Sequence, residues 1–81
     1  MVEVRDSLRE CFSAAFPAVH AGALETLTPE RDPVWDSLAT LTLVMLVEER
    51  FGMKIPTDEI PHLLSFDAMA GYVERARGRP Q

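Results

Sequence analysis

Eighty-one residues allow one domain with a small core, and an apolar content of 47% is enough to fill it, which argues against intrinsic disorder. Eight basic residues against thirteen acidic ones leave a net charge of −5, so nucleic acid and anionic membranes are poor partners and a basic protein surface suits the chain better. Cys11 has no second cysteine to pair with, the N-terminus with Glu3, Arg5 and Asp6 lacks a signal-peptide core, and no apolar run reaches membrane-spanning length; together these predict a reducing cytoplasm.

Val4, Leu8, Cys11, Phe12 and Ala15 recur at helical spacing and predict a first helix from about residue 3 to Phe16, closed by Pro17. Cys11 falls on the apolar stripe of that helix, which points to packing rather than reactivity. Residues 17–35 contain Pro17, Gly22, Pro29 and Pro33 and read as a long loop with a helical turn near residues 23–27. A loop this long needs anchors or a job, and Val19, Leu24, Leu27, Val34 and Trp35 are the candidate anchors. Asp36 is a favourable N-cap for a second helix from Ser37 to Phe51, which Gly52 stops. Lys54-Ile55-Pro56 is extended. Thr57-Asp58-Glu59-Ile60 begins a short third helix that Pro61 interrupts. Ser65 then caps a last helix from Phe66 to Ala76, with Leu64 and Met69 spaced as a hydrophobic staple and Asp67 in the first turn, and Gly78 and Pro80 end it. No strand-like alternation occurs. The expected fold is all-α: a small four-helix bundle of three main helices and a short third one, with a long first loop, residues 1–81 forming a single domain.

The second helix is apolar on too many sides. At about 100° per residue, Leu43, Val47 and Phe51 share a face with Thr40 and Val44, and that face is the natural core. Leu38, Leu41 and Met45 lie roughly opposite, with Glu48 and Glu49 at the lower end and Ser37 at the border. A helix with one buried stripe is polar there. Other elements are expected to cover Leu38, whereas the flexible thioether of Met45 suits an exposed surface that meets several partners.

Ser37 stands where free backbone N–H groups and the helix dipole favour an anion such as a phosphate diester. It has no neighbouring His or Lys to make it a self-acting nucleophile, and no other pair of catalytic groups is visible in the chain. His20 and His62 are far apart and lack ligand partners, so a metal site is not expected. Arg75, Arg77 and Arg79 read as a solvated helix end that complements the dipole.

Asp36-Ser37-Leu38, followed by Leu43-Val44-Met45, Glu48-Glu49, Phe51 and Ile55-Pro56, resembles the acyl carrier proteins. The match continues through Thr57-Asp58-Glu59 to Tyr72-Val73. The triplet alone is only a good N-cap; triplet, helix and Ile-Pro turn at these spacings are specific. The resemblance implies a four-helix bundle with 4′-phosphopantetheine on Ser37, transferred from coenzyme A by a separate phosphopantetheinyl transferase, and acyl groups held as thioesters on the arm. It implies further partners that load and process the acyl group, such as a ligase, a ketosynthase or a transferase, and a monomeric carrier. Asp36, Leu38, Leu41, Met45, Glu48 and Glu49 are then the candidate partner-recognition residues, the carboxylates favouring fast, weak encounters with basic surfaces. Two departures bear on the pathway. Trp35 replaces the small residue that fatty-acid carriers place before the triplet, and Ala39 and Thr42 stand where such carriers often have acids. A Trp at this point looks more like discrete carriers of specialised polyketide, aminoacyl or modified-lipid routes. Two alternatives remain open: a peptidyl or aminoacyl carrier of a nonribosomal pathway, and an unmodified helical adaptor that docks through the apolar patch.

Overall fold

The computed structural model describes residues 3–78. Three α-helices, α1 (Val4–Ala15), α2 (Ser37–Phe51) and α3 (Phe66–Gly78), are joined by connections that each contain a 3-10 segment, Ala21–Thr26 in the first and Thr57–His62 in the second. The described residues are all helix, turn or irregular loop, so the bundle of three main helices and a short one before the last stands, and the helical turn expected in the first loop is the 3-10 segment there.

Each long helix shows a burial pattern that its sequence spacing dictates. In α1 the buried residues are Ser7, Leu8, Cys11 and Phe12, a stripe one helical turn apart. In α3 they are Phe66, Met69, Ala70 and Val73, again on one face. Phe12 sits at the centre of the core. Its ring lies 5.1 Å from Phe66, 5.6 Å from Trp35 and 5.9 Å from Phe16, the first two edge-on, the geometry that aromatic quadrupoles prefer. Helix α1 is therefore the hub: it packs on α2, on α3 and on the first 3-10 segment.

Charged side chains close the edges of this core. Arg5 of α1 donates to Asp67 in the first turn of α3 at 3.0 Å, and Arg9 donates to Glu25 of the first 3-10 segment at 2.7 Å. The two guanidinium groups also lie over the Phe66 ring. Arg50 near the end of α2 pairs with Glu10 of α1 at 2.7 Å and reaches the buried Ser7 hydroxyl at 3.5 Å. Exposed pairs like these contribute at most about 1 kcal/mol each, so the aromatic core dominates the energetics.

Caps fix the helix ends. Asp36 caps α2 and Ser65 caps α3, its hydroxyl accepting from the Ala68 N–H at 3.1 Å. Gly52 ends α2 in the left-handed region at φ 62°, where a side chain is strained, and the Glu48 carbonyl accepts from both Gly52 and Met53.

Several sequence expectations need correction. The first 3-10 segment starts at Ala21, two residues earlier than read, because the His20 ring accepts from the Gly22 N–H at 3.0 Å and caps it there. Pro61 does not interrupt the Thr57–His62 segment; in so short an element it removes only one local hydrogen bond. Val34 is 49% exposed and anchors nothing, while Leu24, Leu27 and Trp35 are buried and Val19 is half-buried. Phe51 is only half-buried at the foot of α2, with the Arg77 guanidinium 5.5 Å from its ring centroid. Helix α3 continues past Ala76 to Gly78; Arg79 and Pro80, read as part of the helix end, lie outside the described residues.

Candidate functional site

Asp36 is extended, with φ −94° and ψ −173°, and its carboxylate accepts from the Ala39 N–H at 2.9 Å. That bond leaves the Ser37 and Leu38 N–H groups at the positive end of the helix free of side-chain acceptors. Ser37 is exposed, and its hydroxyl takes part in none of the side-chain hydrogen bonds among the described residues. No His or Lys side chain hydrogen-bonds to it among the described residues. A hydroxyl in this setting is accessible and uncommitted but not activated, which suits modification by another protein and not self-catalysis.

Beside Ser37 runs an apolar groove of about 430 Å³. Thr40 and Leu41 of α2 form one wall; Thr57, Ile60 and Pro61 of the second 3-10 segment and Leu64 form the other. Sequence reading missed this opposite wall. Its signal, apolar Ile60 and Leu64 around a proline, is indistinguishable from core-anchoring residues until the segment is folded.

The outer face of α2 carries the remaining candidates. Leu38 is 72% exposed, Leu41 56% and Met45 67%. The expected cover over Leu38 does not exist among the described residues, because the second 3-10 segment flanks α2 and does not cross this face. The two carboxylates at the lower end differ. Glu49 is exposed, whereas Glu48 is half-buried and accepts from the Ile55 N–H at 2.8 Å, holding the chain that leaves α2. Glu48, Glu49 and Met45 border an open depression with Gly52, Met53 and Lys54. So Asp36, Ser37, Leu38, Leu41, Met45 and Glu49 form one continuous outer strip, and Glu48 is committed largely to the fold.

The other polar candidates are structural. Cys11 is buried between α1 and α2 with its sulfur 3.8 Å from the Leu46 carbonyl, and burial pushes its thiol pKa up, so it is a poor nucleophile. His20 caps a turn, and no group of residues suited to hold a metal ion occurs among the described residues. No described helix is long and apolar enough to cross a membrane.

Curated relatives similar to this chain include the following two. An acyl carrier protein of Campylobacter hominis is 38% identical over 74 residues, 89% of this chain and 86% of that protein. The chain belongs to the acyl carrier protein family. A second acyl carrier protein, from Akkermansia muciniphila, is 40% identical over 43 residues, 53% of this chain and 54% of the relative. No protein-family model matches the chain, and no solved structure does. Acyl carrier proteins are carriers without catalysis of their own.

Proposed function

We propose that the protein carries acyl intermediates as thioesters on a 4′-phosphopantetheine arm attached to Ser37, and presents them to enzymes of a specialised biosynthetic pathway in the cytoplasm. The single observation that carries this reading is Ser37 itself: exposed, first in α2, its hydroxyl unpartnered among the described residues while both flanking turns are tightly bonded. The surroundings fit the group. The free N–H groups at the start of α2 favour the phosphodiester charge, the outer strip leaves room for a transferase, and the groove beside Ser37 offers apolar walls. The arm supplies a terminal thiol on which acyl groups form thioesters.

The residues of the chain have three tasks in this scheme. Ser37 Oγ forms the phosphoester bond, displacing the adenosine 3′,5′-bisphosphate half of coenzyme A, and its proton passes to a base of the phosphopantetheinyl transferase. Asp36 holds the first turn through Ala39 and presents a carboxylate beside the serine. Leu38, Leu41 and Met45 give partner enzymes an apolar contact, with Glu49 as the exposed charge that a basic docking surface reads. Trp35 and the uncharged Ala39 and Thr42 support a specialised pathway over housekeeping fatty-acid synthesis. A monomer is sufficient for all three tasks.

Incubation with coenzyme A and a broad-specificity phosphopantetheinyl transferase tests the reading by intact mass. The parent protein gains one phosphopantetheine and Ser37→Ala gains none, while Ser37→Ala melts within ~0.5 kcal/mol of the parent because the side chain is exposed. A mass gain on the alanine variant, or none on the parent, would overturn it.

A further inference from the structure

Trp35 is buried to 3% exposure although its backbone lies only two residues from the exposed Ser37. Its ring packs edge-on to Phe12 and lies 5.3 Å from Phe16, so its body is part of the core. A buried indole N–H needs an acceptor. Here the Nε1–H donates to Thr40 Oγ1 at 3.0 Å, and the Thr40 hydroxyl in turn donates to the Asp36 carbonyl at 3.0 Å. The same carbonyl accepts from the Thr40 N–H at 3.0 Å, and the Asp36 carboxylate accepts from Ala39. The Trp35 backbone is tied on its other side, its N–H donating to the Asp32 carbonyl at 3.0 Å, and the Asp32 carboxylate accepts from the Thr28 N–H at 2.9 Å.

These bonds form a relay from the aromatic core to the rim of the site. Ser37 lies inside the loop of chain that runs from Trp35 to Thr40. Its hydroxyl takes part in none of the side-chain hydrogen bonds among the described residues, so its position relative to the core is set by the backbone of the turn that its neighbours hold. Thr40 also lines the groove beside Ser37, so one hydroxyl fixes both the serine's turn and one wall of the groove. We propose that Trp35 is a positioning residue for Ser37, acting through the Thr40 hydroxyl, and that this bond holds the first turn of α2 in the register that presents the serine oxygen to a transferase. The proposal rests on the reading of Ser37 as the attachment serine.

A tryptophan that served only as a core anchor would act through its area, and its N–H would be immaterial. Four variants separate the two roles. Thr40→Val keeps the branched shape and loses both hydroxyl bonds. Trp35→Phe keeps an aromatic ring and loses the N–H. The double variant removes both, and Thr40→Ser restores the hydroxyl alone. Amide hydrogen exchange at Ala39 and Thr40 reads the turn without any loading reaction; transfer kinetics from coenzyme A read its consequence.

A neutral hydrogen bond of this kind corresponds to about a 2- to 10-fold effect. Exchange at Ala39 and Thr40 is therefore expected to rise by about that factor in each single variant, with Leu43, Val44 and Val47 exchanging as in the parent. The double variant is expected to be no worse than Thr40→Val, because removing the indole N–H also removes the donor that Thr40→Val leaves buried and unpaired. Thr40→Ser is expected to behave as the parent. The turnover number for phosphopantetheine transfer should fall with the same pattern and KM should hold, since the outer strip that meets the transferase is untouched.

Four exchange results overturn the proposal: unchanged exchange in both single variants, losses that add in the double, a Thr40→Ser as impaired as Thr40→Val, or loosening of the whole of α2 together. If exchange follows the expected pattern and the parent is loaded at Ser37 but the turnover number does not move, the positioning role fails and the attachment reading stands. If the parent acquires no phosphopantetheine, the attachment reading fails and takes the positioning role with it, whatever the exchange shows.

Discussion

Helix α2 presents the same residue types on two faces with opposite surroundings. Leu43, Val44 and Val47 on the inner face are buried under α1, while Leu38, Leu41 and Met45 on the outer face stand more than half exposed. Nothing in side-chain chemistry separates a leucine of one set from a leucine of the other. The inner leucine is useful because a neighbouring helix removes it from water; the outer one stays in water until something else arrives. A small protein rarely leaves a contiguous apolar strip uncovered without a partner for it. In the proposed reading the helix serves two masters, the core of its own chain and the surface of a partner protein, and substitutions on each face test that contrast.

The largest effect belongs to the inner face. Leu43→Ala is expected to destabilise by about 2–5 kcal/mol, the range for a buried leucine that leaves a cavity. Leu38→Ala, the same deletion on the outer face, is expected to change stability by no more than ~0.5 kcal/mol. Urea unfolding of the two variants side by side gives the comparison directly. Equal losses would mean that the outer strip is covered in solution.

Phe51 sharpens the boundary between the faces. It lies at the foot of the inner face but only half-buried, capped by the Arg77 guanidinium. Phe51→Ala should cost roughly half of what a fully buried phenylalanine costs, about 2 kcal/mol. Arg77→Ala should cost only about 0.5–1 kcal/mol, the value of an exposed cation–π contact. A Phe51→Ala loss of about 3–5 kcal/mol in the same urea series, the range for a fully buried phenylalanine, would place the ring in the core after all.

How much of this was legible in the sequence depends on the range of the interaction involved. The three long helices, the Asp36 and Ser65 caps and the Gly52 stop are written in contacts within a few residues, and they are where their sequence signals put them apart from the two residues by which α3 outruns Ala76. The exposure of Val34 and Leu38, the half-burial of Phe51 and the tolerance of Pro61 depend on which distant element lies alongside, and periodicity carries no information about that. The site divides in the same way. Ser37 at the start of the helix and Trp35 as an anchor were readable from position and size. The bond from the Trp35 indole to Thr40 was not, because a threonine on the inner face of a helix reads as packing until its hydroxyl is seen between Trp35 and Asp36. Glu48 read as a surface charge because its acceptor role requires the chain beyond Gly52 to fold back to it, bringing the Ile55 N–H within reach.

Asp36 joins the two faces at their upper end. Asp36→Ala removes the acceptor of the Ala39 N–H and should cost about 1 kcal/mol. Phosphopantetheine transfer should slow as well, since the first turn frays around Ser37. A thermal melt and transfer rate both equal to the parent's would show that the turn is held by the Thr40 bonds alone.

The smallest expected effect on the fold lies on the outer face at Met45. Met45→Glu places a charge where the thioether is already in water, so the unfolding free energy should stay within ~0.5 kcal/mol of the parent. Its effect should appear only when a partner is present: an apolar contact would then have to bury an unpaired charge, and transfer to or from the partner enzyme should weaken. Glu49→Lys should act differently on the same strip. Glu49 is exposed, so its reversal should mainly slow association, and the parent's own rate should fall with added salt as the attraction is screened. Glu48→Lys is the internal contrast. It removes the acceptor of the Ile55 N–H and should cost stability even without a partner, on the order of 1 kcal/mol for one hydrogen bond. Stopped-flow transfer kinetics at low and high salt, alongside unfolding curves for the three variants, separate these roles. Rates that ignore salt, with Met45→Glu and Glu49→Lys matching the parent, would take the outer face of α2 out of the interface and leave its exposed leucines without a partner to explain them.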